Sequence, residues 1–181
     1  MNKNIEKELK ILVSKEKFYE LLSFYPQLSF KKQVNVYYDT KDHQILNHYG
    51  AMRIRTKDHH IFTFKKCTSQ GLEEYECSVD QNSSDMLLKE PIASFLQSQN
   101  LFPPFYEIAS LCTYRGVIET EYAELCFDIN EYNGITDYEI EYEYKKEHDG
   151  ISLFNNILSK VQLSYEENCP AKIKRAMINK K

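Results

Sequence analysis

Rows of charged residues at every second position are the feature of this sequence whose types and spacing could do chemistry. Glu6, Glu8 and Lys10 alternate with apolar residues in the stretch IEKELKILV, a pattern typical of a β-strand. Successive side chains of a strand point to opposite faces, so these three charged groups share one face. Two carboxylates beside an ammonium group are suited to hold a divalent cation together with an anion such as phosphate.

The same alternation recurs in later segments, and the sign of the charge changes from strand to strand. Arg53 and Arg55 share one face of AMRIRT, whereas Glu139, Glu141 and Glu143 share one face of DYEIEYE. The charges therefore form rows of a single sign. Further charged residues on polar strand faces are Lys65, Glu74, Glu76, Arg115 and Asp128, and the tail segment AKIKRAM adds Lys172 and Arg175 one helical turn apart.

A sheet with one face on a core and the other in water is the ordinary explanation for any single strand of this kind. The segregation of the signs favours a different explanation for the whole set. Side chains two residues apart begin about 7 Å apart, and like charges at that distance repel by roughly 2 kcal/mol at an effective dielectric constant of about 20. A bound ligand that is itself multiply charged would offset this repulsion.

Period-two patterning runs through most of the chain and predicts about eight strands. The segment after Ser14 is predicted to form a helix with Phe18, Leu21 and Leu22 on its apolar side. Further helices are predicted between Glu76 and Arg115, over ISLFNNILSKV and in the basic tail. These elements indicate an α+β fold, an eight-stranded antiparallel β-barrel with helices packed on the outside. The predicted strands are IEKELKILV, KQVNVYYDT, GAMRIRT, IFTFKKC, EEYECSV, SLCTYRGVIE, YAELCFDINEY and TDYEIEYEYK.

The amphipathic helices need an apolar surface to pack on, which leaves the charged strand faces to line the interior of the barrel. Mg²⁺ and Mn²⁺ bind carboxylate oxygens and bridge to phosphates. Arg and Lys side chains bind phosphate oxygens directly. An interior with carboxylates on some strands and cations on others therefore predicts a site for a polyanion and a divalent metal.

Length and composition narrow the class of protein. A chain of 181 residues is predicted to form one domain. A net charge of −4 argues against binding nucleic acid by bulk electrostatics. Five scattered cysteines without a C-x-x-C motif are typical of reduced thiols in a cytosolic protein. The chain has neither a signal-peptide pattern nor an apolar run near the roughly 20 residues of a membrane span, so a cytoplasmic location is predicted.

The order of the motifs resembles that of the CYTH domain family, also called triphosphate tunnel metalloenzymes. IEKELK matches the family signature E-x-E-x-K, and the resemblance extends through NVYYDT, AMRIRT, FTFK, TYRG, CFDINEYNG, DYEIEYE and AKIKRAM. It covers nearly the whole chain and is strongest to the small bacterial members described as YjbK-like. The resemblance implies a single CYTH-like domain over residues 1–181, an eight-stranded barrel around a triphosphate-binding tunnel, and leaves a homodimer open.

The resemblance also implies a role for each charged row. Glu6 and Glu8 would be metal ligands, joined by Glu139, Glu141 and Asp128, and Glu143 is expected to lie too near the tunnel mouth to bind the metal. Glu6, Glu8 and Lys10 are the predicted catalytic residues, and a phosphate-binding role of Lys10 is favoured over a role as base. The predicted phosphate-binding residues are Lys10, Arg53, Arg55, Lys65, Arg115, Lys172 and Arg175.

Three functions are compatible with such a site. The first is hydrolysis of a small-molecule triphosphate with Mg²⁺ or Mn²⁺, inorganic triphosphate before thiamine or nucleoside triphosphates. The second is a class IV-like adenylate cyclase, although no separate adenine pocket is visible in the sequence. The third is a polyphosphate- or nucleotide-binding module without catalysis. The full set of carboxylates argues against the third function, since phosphate binding alone needs only the cations.

Overall fold

A computed structural model describes residues 1–68 and 71–178 of the chain. These residues form nine β-strands, five α-helices and two short 3-10 helices, at Ser84–Leu88 and Ser159–Val161. The strands are β1 (Asn2–Glu6), β2 (Glu8–Val13), β3 (Lys31–Asp39), β4 (Gly50–Thr56), β5 (His60–Thr68), β6 (Gly71–Val79), β7 (Tyr106–Glu119), β8 (Ala123–Tyr132) and β9 (Ile135–Tyr144). The α-helices are α1 (Lys15–Leu22), α2 (Gln44–His48), α3 (Ile92–Ser98), α4 (Gly150–Leu158) and α5 (Lys172–Ile178).

The strands belong to one sheet with the order β1-β6-β5-β4-β3-β7-β8-β9-β2. Antiparallel pairing joins β2 with β9, β3 with β4, β4 with β5, β5 with β6, β7 with β8, and β8 with β9. The first predicted strand is divided around Lys7 into β1 and β2, which raises the number of strands from the predicted eight to nine. The other seven predicted strands all occur in the structure.

The chain divides into two compact units. The described residues of the first unit are 1–5, 33–68, 71–111 and 173–178, and the second unit consists of 6–32 and 112–172. Each unit has its own hydrophobic core on one face of its strands.

In the first unit, the apolar faces of β4 and β5 form the centre of the core. Ile54, Phe62 and Phe64 are fully buried there, against residues of the 3-10 helix Ser84–Leu88 and of α3. The short helix α2, which the sequence patterns did not predict, is held by the buried carboxylate of Asp39. This carboxylate accepts hydrogen bonds from the backbone N–H groups of Thr40 (2.7 Å), Ile45 (2.9 Å) and Leu46 (2.9 Å).

In the second unit, helices α1 and α4 cover the apolar faces of β8 and β9. Phe18 of α1 packs edge-on against Phe127 of β8 with ring centroids 5.5 Å apart, and Phe154 of α4 is fully buried in the same core. The helix predicted after Ser14 begins there, because the Ser14 hydroxyl accepts a hydrogen bond from the backbone N–H of Lys17 at 3.2 Å.

The strand faces opposite these cores carry the charged rows, and many of their side chains are buried. Asp128 and Glu139 are 0% exposed and Glu141 is 3% exposed in the second unit, and Arg53 is 8% exposed in the first. Burial of ionised groups is costly unless they are paired. The solvated-face explanation therefore fails for these rows.

Among the described residues, no helix has both the length and the apolar character required to cross a membrane. The cytoplasmic location and the single domain over residues 1–181 stay predictions.

Candidate metal and phosphate site

Three buried carboxylates of the second unit, Asp128, Glu139 and Glu141, form a group that we call the buried triad. Asp128 lies on β8 directly opposite Glu139 of β9, and Glu141 follows two residues along β9 on the same face. One carboxylate oxygen from each residue lies within 4.8 Å of the other two. The pairing of two strands thus brings together three of the five predicted metal ligands.

A single ammonium group contacts every member of the buried triad. The Nζ atom of Lys172, the first residue of α5, lies 2.9 Å from Asp128 Oδ2, 2.7 Å from Glu139 Oε1 and 2.5 Å from Glu141 Oε1. Lys172 was predicted to bind phosphate, and in this structure it instead occupies the position of a cation among the carboxylates.

Arg115 provides a second positive charge to the buried triad. It lies on β7 opposite Asp128 and forms a two-pronged ion pair with it, with Nε donating to Oδ1 at 2.7 Å and Nη2 to Oδ2 at 2.6 Å. The same guanidinium contacts Glu141 and donates from Nη1 to Glu143 Oε1 at 2.9 Å. Arg115 was predicted to bind phosphate, and here its donors are directed to carboxylates.

Glu6, Glu8 and Glu143 form a second acidic group, with one oxygen of each residue within 4.8 Å of the others. Glu8 pairs directly with Glu143 in the register of β2 and β9, so their side chains share a face. The Nζ atom of Lys10 contacts the carboxylate of Glu8. Because Arg115 reaches Glu143 as well as the buried triad, it links the two acidic groups.

Burial and ion pairing act in opposite directions on the buried triad. Burial raises the pKa of Glu141, but Arg115 and Lys172 more than offset it and hold that pKa well below its ordinary value. Burial likewise lowers the pKa of Lys172, and its carboxylate neighbours, Asp128 first, raise it well above the ordinary value. Glu141 is therefore ionised, and Lys172 is charged.

The second acidic group has a different electrostatic state. The pKa of Glu143 is raised to about 7, mainly by burial and further by the neighbouring carboxylates, against the opposing effect of Arg115. For Lys10, burial lowers the pKa, but the charges of Glu8 and Glu141 outweigh this and the net pKa is raised. Lys10 is thus a cation, which favours a phosphate-binding role over that of a base.

The raised pKa of Glu143 predicts a pH dependence of stability. An unfolded glutamate titrates near about 4.3, so folding raises this pKa, and the resulting stability is present at low pH and lost as pH rises towards about 7. In EDTA, wild-type protein is therefore expected to lose about 1–3 kcal/mol of unfolding free energy between about pH 5 and pH 8 relative to Glu143→Gln. Urea unfolding at both pH values measures the difference, and parallel pH profiles for the two proteins would contradict it.

A third acidic group consists of Glu124, Cys126 and Glu143. Cys126 is fully buried, and burial raises the pKa of its thiol far above the ordinary value. Because a thiol binds metal as the thiolate, this group is a poorer site for a cation than the two groups of carboxylates.

The first unit carries the remaining predicted phosphate-binding residues. On β4, Arg53 lies 3.8 Å from the Glu74 carboxylate, which also lies 3.3 Å from Lys65 Nζ on β5. Arg55 donates from Nε to Asn35 Oδ1 at 2.9 Å. Arg175 is buried on α5. The alternation of β4 and β5 therefore places the predicted cations on the polar face of this unit, where Glu74 neutralises part of their charge.

Glu143 was left out of the predicted metal ligands, and the structure places it beside two of them, Glu6 and Glu8. Glu143 was expected near a tunnel mouth, whereas it shares the second acidic group with Glu6 and Glu8. Its place two residues after Glu141 was the signal that could have included it. For Glu74 and Lys65, the alternation of residues predicted only that each lies on a polar strand face, and not that they form an ion pair.

Buried rows of charged side chains thus lie opposite the cores of an antiparallel sheet. The model of the CYTH domain matches residues 4–170, and the chain belongs to the CYTH domain family. This confirms the family resemblance of the sequence motifs.

Two known proteins resemble this chain over almost its full length. A Bacillus subtilis protein named "Putative triphosphatase YjbK" is 27% identical over 175 residues, which cover 92% of each chain. The crystal structure of a "putative adenylate cyclase" from Bacillus halodurans is 33% identical, covers 97% of this chain and 98% of its own, and superposes with a TM-score of 0.83. The predicted fold class is thereby confirmed.

A plant protein shares the fold at lower identity. The Hippeastrum protein HpAC1, described as a "putative adenylyl cyclase" that reveals a dominant triphosphatase activity, is 22% identical, covers 97% of both chains and has a TM-score of 0.79. At this identity the likeness concerns the fold.

Proposed function

We propose that this protein hydrolyses a terminal phosphoanhydride bond of a small triphosphate with the help of a divalent metal ion. The observation that carries the proposal is the buried triad, in which three carboxylates converge beside two cations, Lys172 and Arg115. A protein that only bound a polyanion would need the cations and not the carboxylates. The names of the Bacillus subtilis and Hippeastrum relatives support the same activity.

The residues present fit a hard divalent cation. Carboxylate oxygens are the ligands that Mg²⁺ and Mn²⁺ prefer, and in the buried triad they already surround a positive charge, that of Lys172. The proposed ligands are those of the buried triad and of the second acidic group, that is Asp128, Glu139, Glu141, Glu6, Glu8 and Glu143. When bound, such an ion would neutralise phosphate charge and lower the pKa of an attacking water.

The cations of the chain supply the remaining part of the chemistry. Phosphoryl transfer depends mainly on positioning and on stabilising charge, so a charged Lys10 is proposed to hold phosphate oxygens. Lys172 and Arg115 lie next to the proposed metal ligands and are proposed to contact the same substrate. The phosphate-binding roles of Arg53, Arg55, Lys65 and Arg175 stay predictions.

The adenylate cyclase alternative is favoured by one observation, the name of the Bacillus halodurans protein that is 33% identical. A cyclase would use the ribose 3′-hydroxyl in place of water and would release cyclic AMP and pyrophosphate from ATP. The two reactions therefore differ in products that can be measured in one experiment.

Purified protein incubated with inorganic triphosphate, ATP or thiamine triphosphate distinguishes these functions. We expect phosphate release that is fastest from inorganic triphosphate, that requires Mg²⁺ or Mn²⁺, and that stops in EDTA. Cyclic AMP from ATP would establish the cyclase instead. Triphosphate binding without product, measured by calorimetry, would establish a binding module and overturn the proposal.

A further inference from the structure

We propose that Lys172 is an internal counter-ion of the buried triad, which a divalent metal must displace before Lys172 can bind an anionic ligand. This inference rests on the proposed function only in taking the buried triad as the metal site. In this proposal, the metal ion and the Lys172 ammonium group occupy the same carboxylates in turn.

The ammonium group of Lys172 has a limited number of hydrogen-bond donors. An ammonium group has three donors and no acceptor. Two of its contacts with the buried triad are hydrogen bonds, to Glu139 Oε1 at 2.7 Å and to Glu141 Oε1 at 2.5 Å, and the third is an ion pair with Asp128 Oδ2 at 2.9 Å. While Lys172 lies there, its charge and two of its donors are engaged by carboxylates, so it must leave the triad to bind a phosphate oxygen with the same donors.

The oxygen atoms that Lys172 contacts are also suited to a divalent metal ion. Lys172 binds one oxygen from each member of the triad, and one oxygen of each member lies within 4.8 Å of the others. Such a convergent set suits a compact cation of either kind, ammonium or divalent metal. The two would compete for the same carboxylates.

The formal charges at the buried triad favour exchange of Lys172 for a metal ion over addition of the ion. The triad carries three negative charges, and Lys172 and Arg115 together supply two positive charges. By formal charge, and counting only the triad with Lys172 and Arg115, a divalent ion in place of Lys172 would neutralise the triad, whereas an ion added beside Lys172 would leave one excess positive charge in a buried place. Exchange is therefore favoured over addition.

The side chain of Lys172 is also placed so that it can leave. It stands at the first residue of α5, and 12% of the side chain is exposed, whereas Asp128 and Glu139 are completely buried. The carboxylates lie in the middle of paired strands and are fixed by the sheet. In an exchange, the lysine would move and the triad would stay.

Calorimetric titration of the full-length chain with Mn²⁺ tests the proposal. Lys172→Met removes the competing charge at similar volume, and we expect it to bind Mn²⁺ at least about tenfold more tightly than wild type, because competition lowers apparent affinity. The melting temperature of Lys172→Met should fall in EDTA and be restored by Mn²⁺, with a larger metal-dependent increase than in wild type. Lys174→Met, an exposed lysine of the same helix, is the matched control and should behave as wild type.

A measurement on the wild-type chain keeps the proposal testable if Lys172→Met does not fold. Acetic anhydride labelling followed by mass spectrometry reports the reactivity of each lysine. We expect Lys172 to be protected in EDTA and to react several-fold faster in Mn²⁺, with Lys174 unchanged. Equal reactivity of Lys172 in the two conditions would overturn the exchange.

The outcomes separate this proposal from the proposed function. Tighter Mn²⁺ binding by Lys172→Met without hydrolysis of any triphosphate by wild type would support the exchange and reject the triphosphatase. Hydrolysis by wild type with equal or weaker Mn²⁺ binding by Lys172→Met would reject the exchange alone. No Mn²⁺ binding by either protein would overturn both.

Discussion

Glu139→Gln and Glu141→Gln are each expected to lower metal-dependent phosphate release from inorganic triphosphate by at least about 100-fold. Glutamine keeps the shape of the side chain but removes the negative charge that a hard divalent cation requires. Both residues lie in the buried triad, where no water can replace the lost ligand charge. Initial rates at several Mn²⁺ concentrations would measure the effect, and isothermal titration would show weaker Mn²⁺ binding by the same variants.

Glu131→Gln is the matched control for these two variants. Glu131 lies on β8 three residues after Asp128, is exposed, and belongs to none of the groups of carboxylates described above. Its activity should stay within about twofold of wild type, as for an ordinary surface substitution. Wild-type rates in Glu139→Gln or Glu141→Gln would show that the buried triad is not part of the catalytic site, even if the protein hydrolyses triphosphate.

Period-two alternation was sufficient to locate the strands because it reflects the geometry of a strand directly. On β9, the apolar residues Ile140 and Tyr142 belong to a core, and Glu139 and Glu141 lie on the opposite face. The same rule placed Arg53 opposite the neighbouring core residues of β4. The residues that share a face were therefore predictable from parity alone.

Contacts between residues distant in sequence were not predictable from parity. Lys172 is 44 residues away from Asp128 in sequence, and nothing in a single strand or helix indicates that they meet. Helix α2 was missed for a related reason, since its start depends on the carboxylate of Asp39, several residues earlier, accepting backbone hydrogen bonds. The break at Lys7 also has no marker such as Gly or Pro.

The sequence shows which residues are charged, but it does not show which residues pair with them. The sequence motifs assigned Arg115 and Lys172 to phosphate because both are cations. In the structure, both are bound to carboxylates of the proposed metal site. The proposed exchange at Lys172 would rearrange these ion pairs, and the stability of the ligand-free protein is expected to depend on the same residues as the proposed activity.

Arg115→Met is expected to reduce the unfolding free energy of the ligand-free protein by about 3–5 kcal/mol, because removing one partner of a buried ion pair leaves the other charge uncompensated. Arg115 holds Asp128 through two hydrogen bonds and also contacts Glu141 and Glu143. Urea unfolding in EDTA at about pH 7.5 measures the loss. Lys145→Met, which removes an exposed ion pair with Glu119, is the control and should cost no more than about 1 kcal/mol.

The double variant Arg115→Met/Asp128→Asn tests the cause of this loss, since it removes the carboxylate that Arg115 holds through two hydrogen bonds and so reduces the excess negative charge. It should be more stable than Arg115→Met alone, which is the reverse of what independent losses would give.

The pH dependence of the difference in stability between wild type and Arg115→Met gives a second test. The depressed pKa of Glu141 means that its pairing stabilises the protein above the ordinary carboxylate range and that this stability is lost as pH falls through the lower, folded-state pKa. The difference between wild type and Arg115→Met should therefore shrink as the solution is acidified below about pH 4. A difference that stayed constant to low pH would attribute the loss to packing of the arginine side chain instead of its charge.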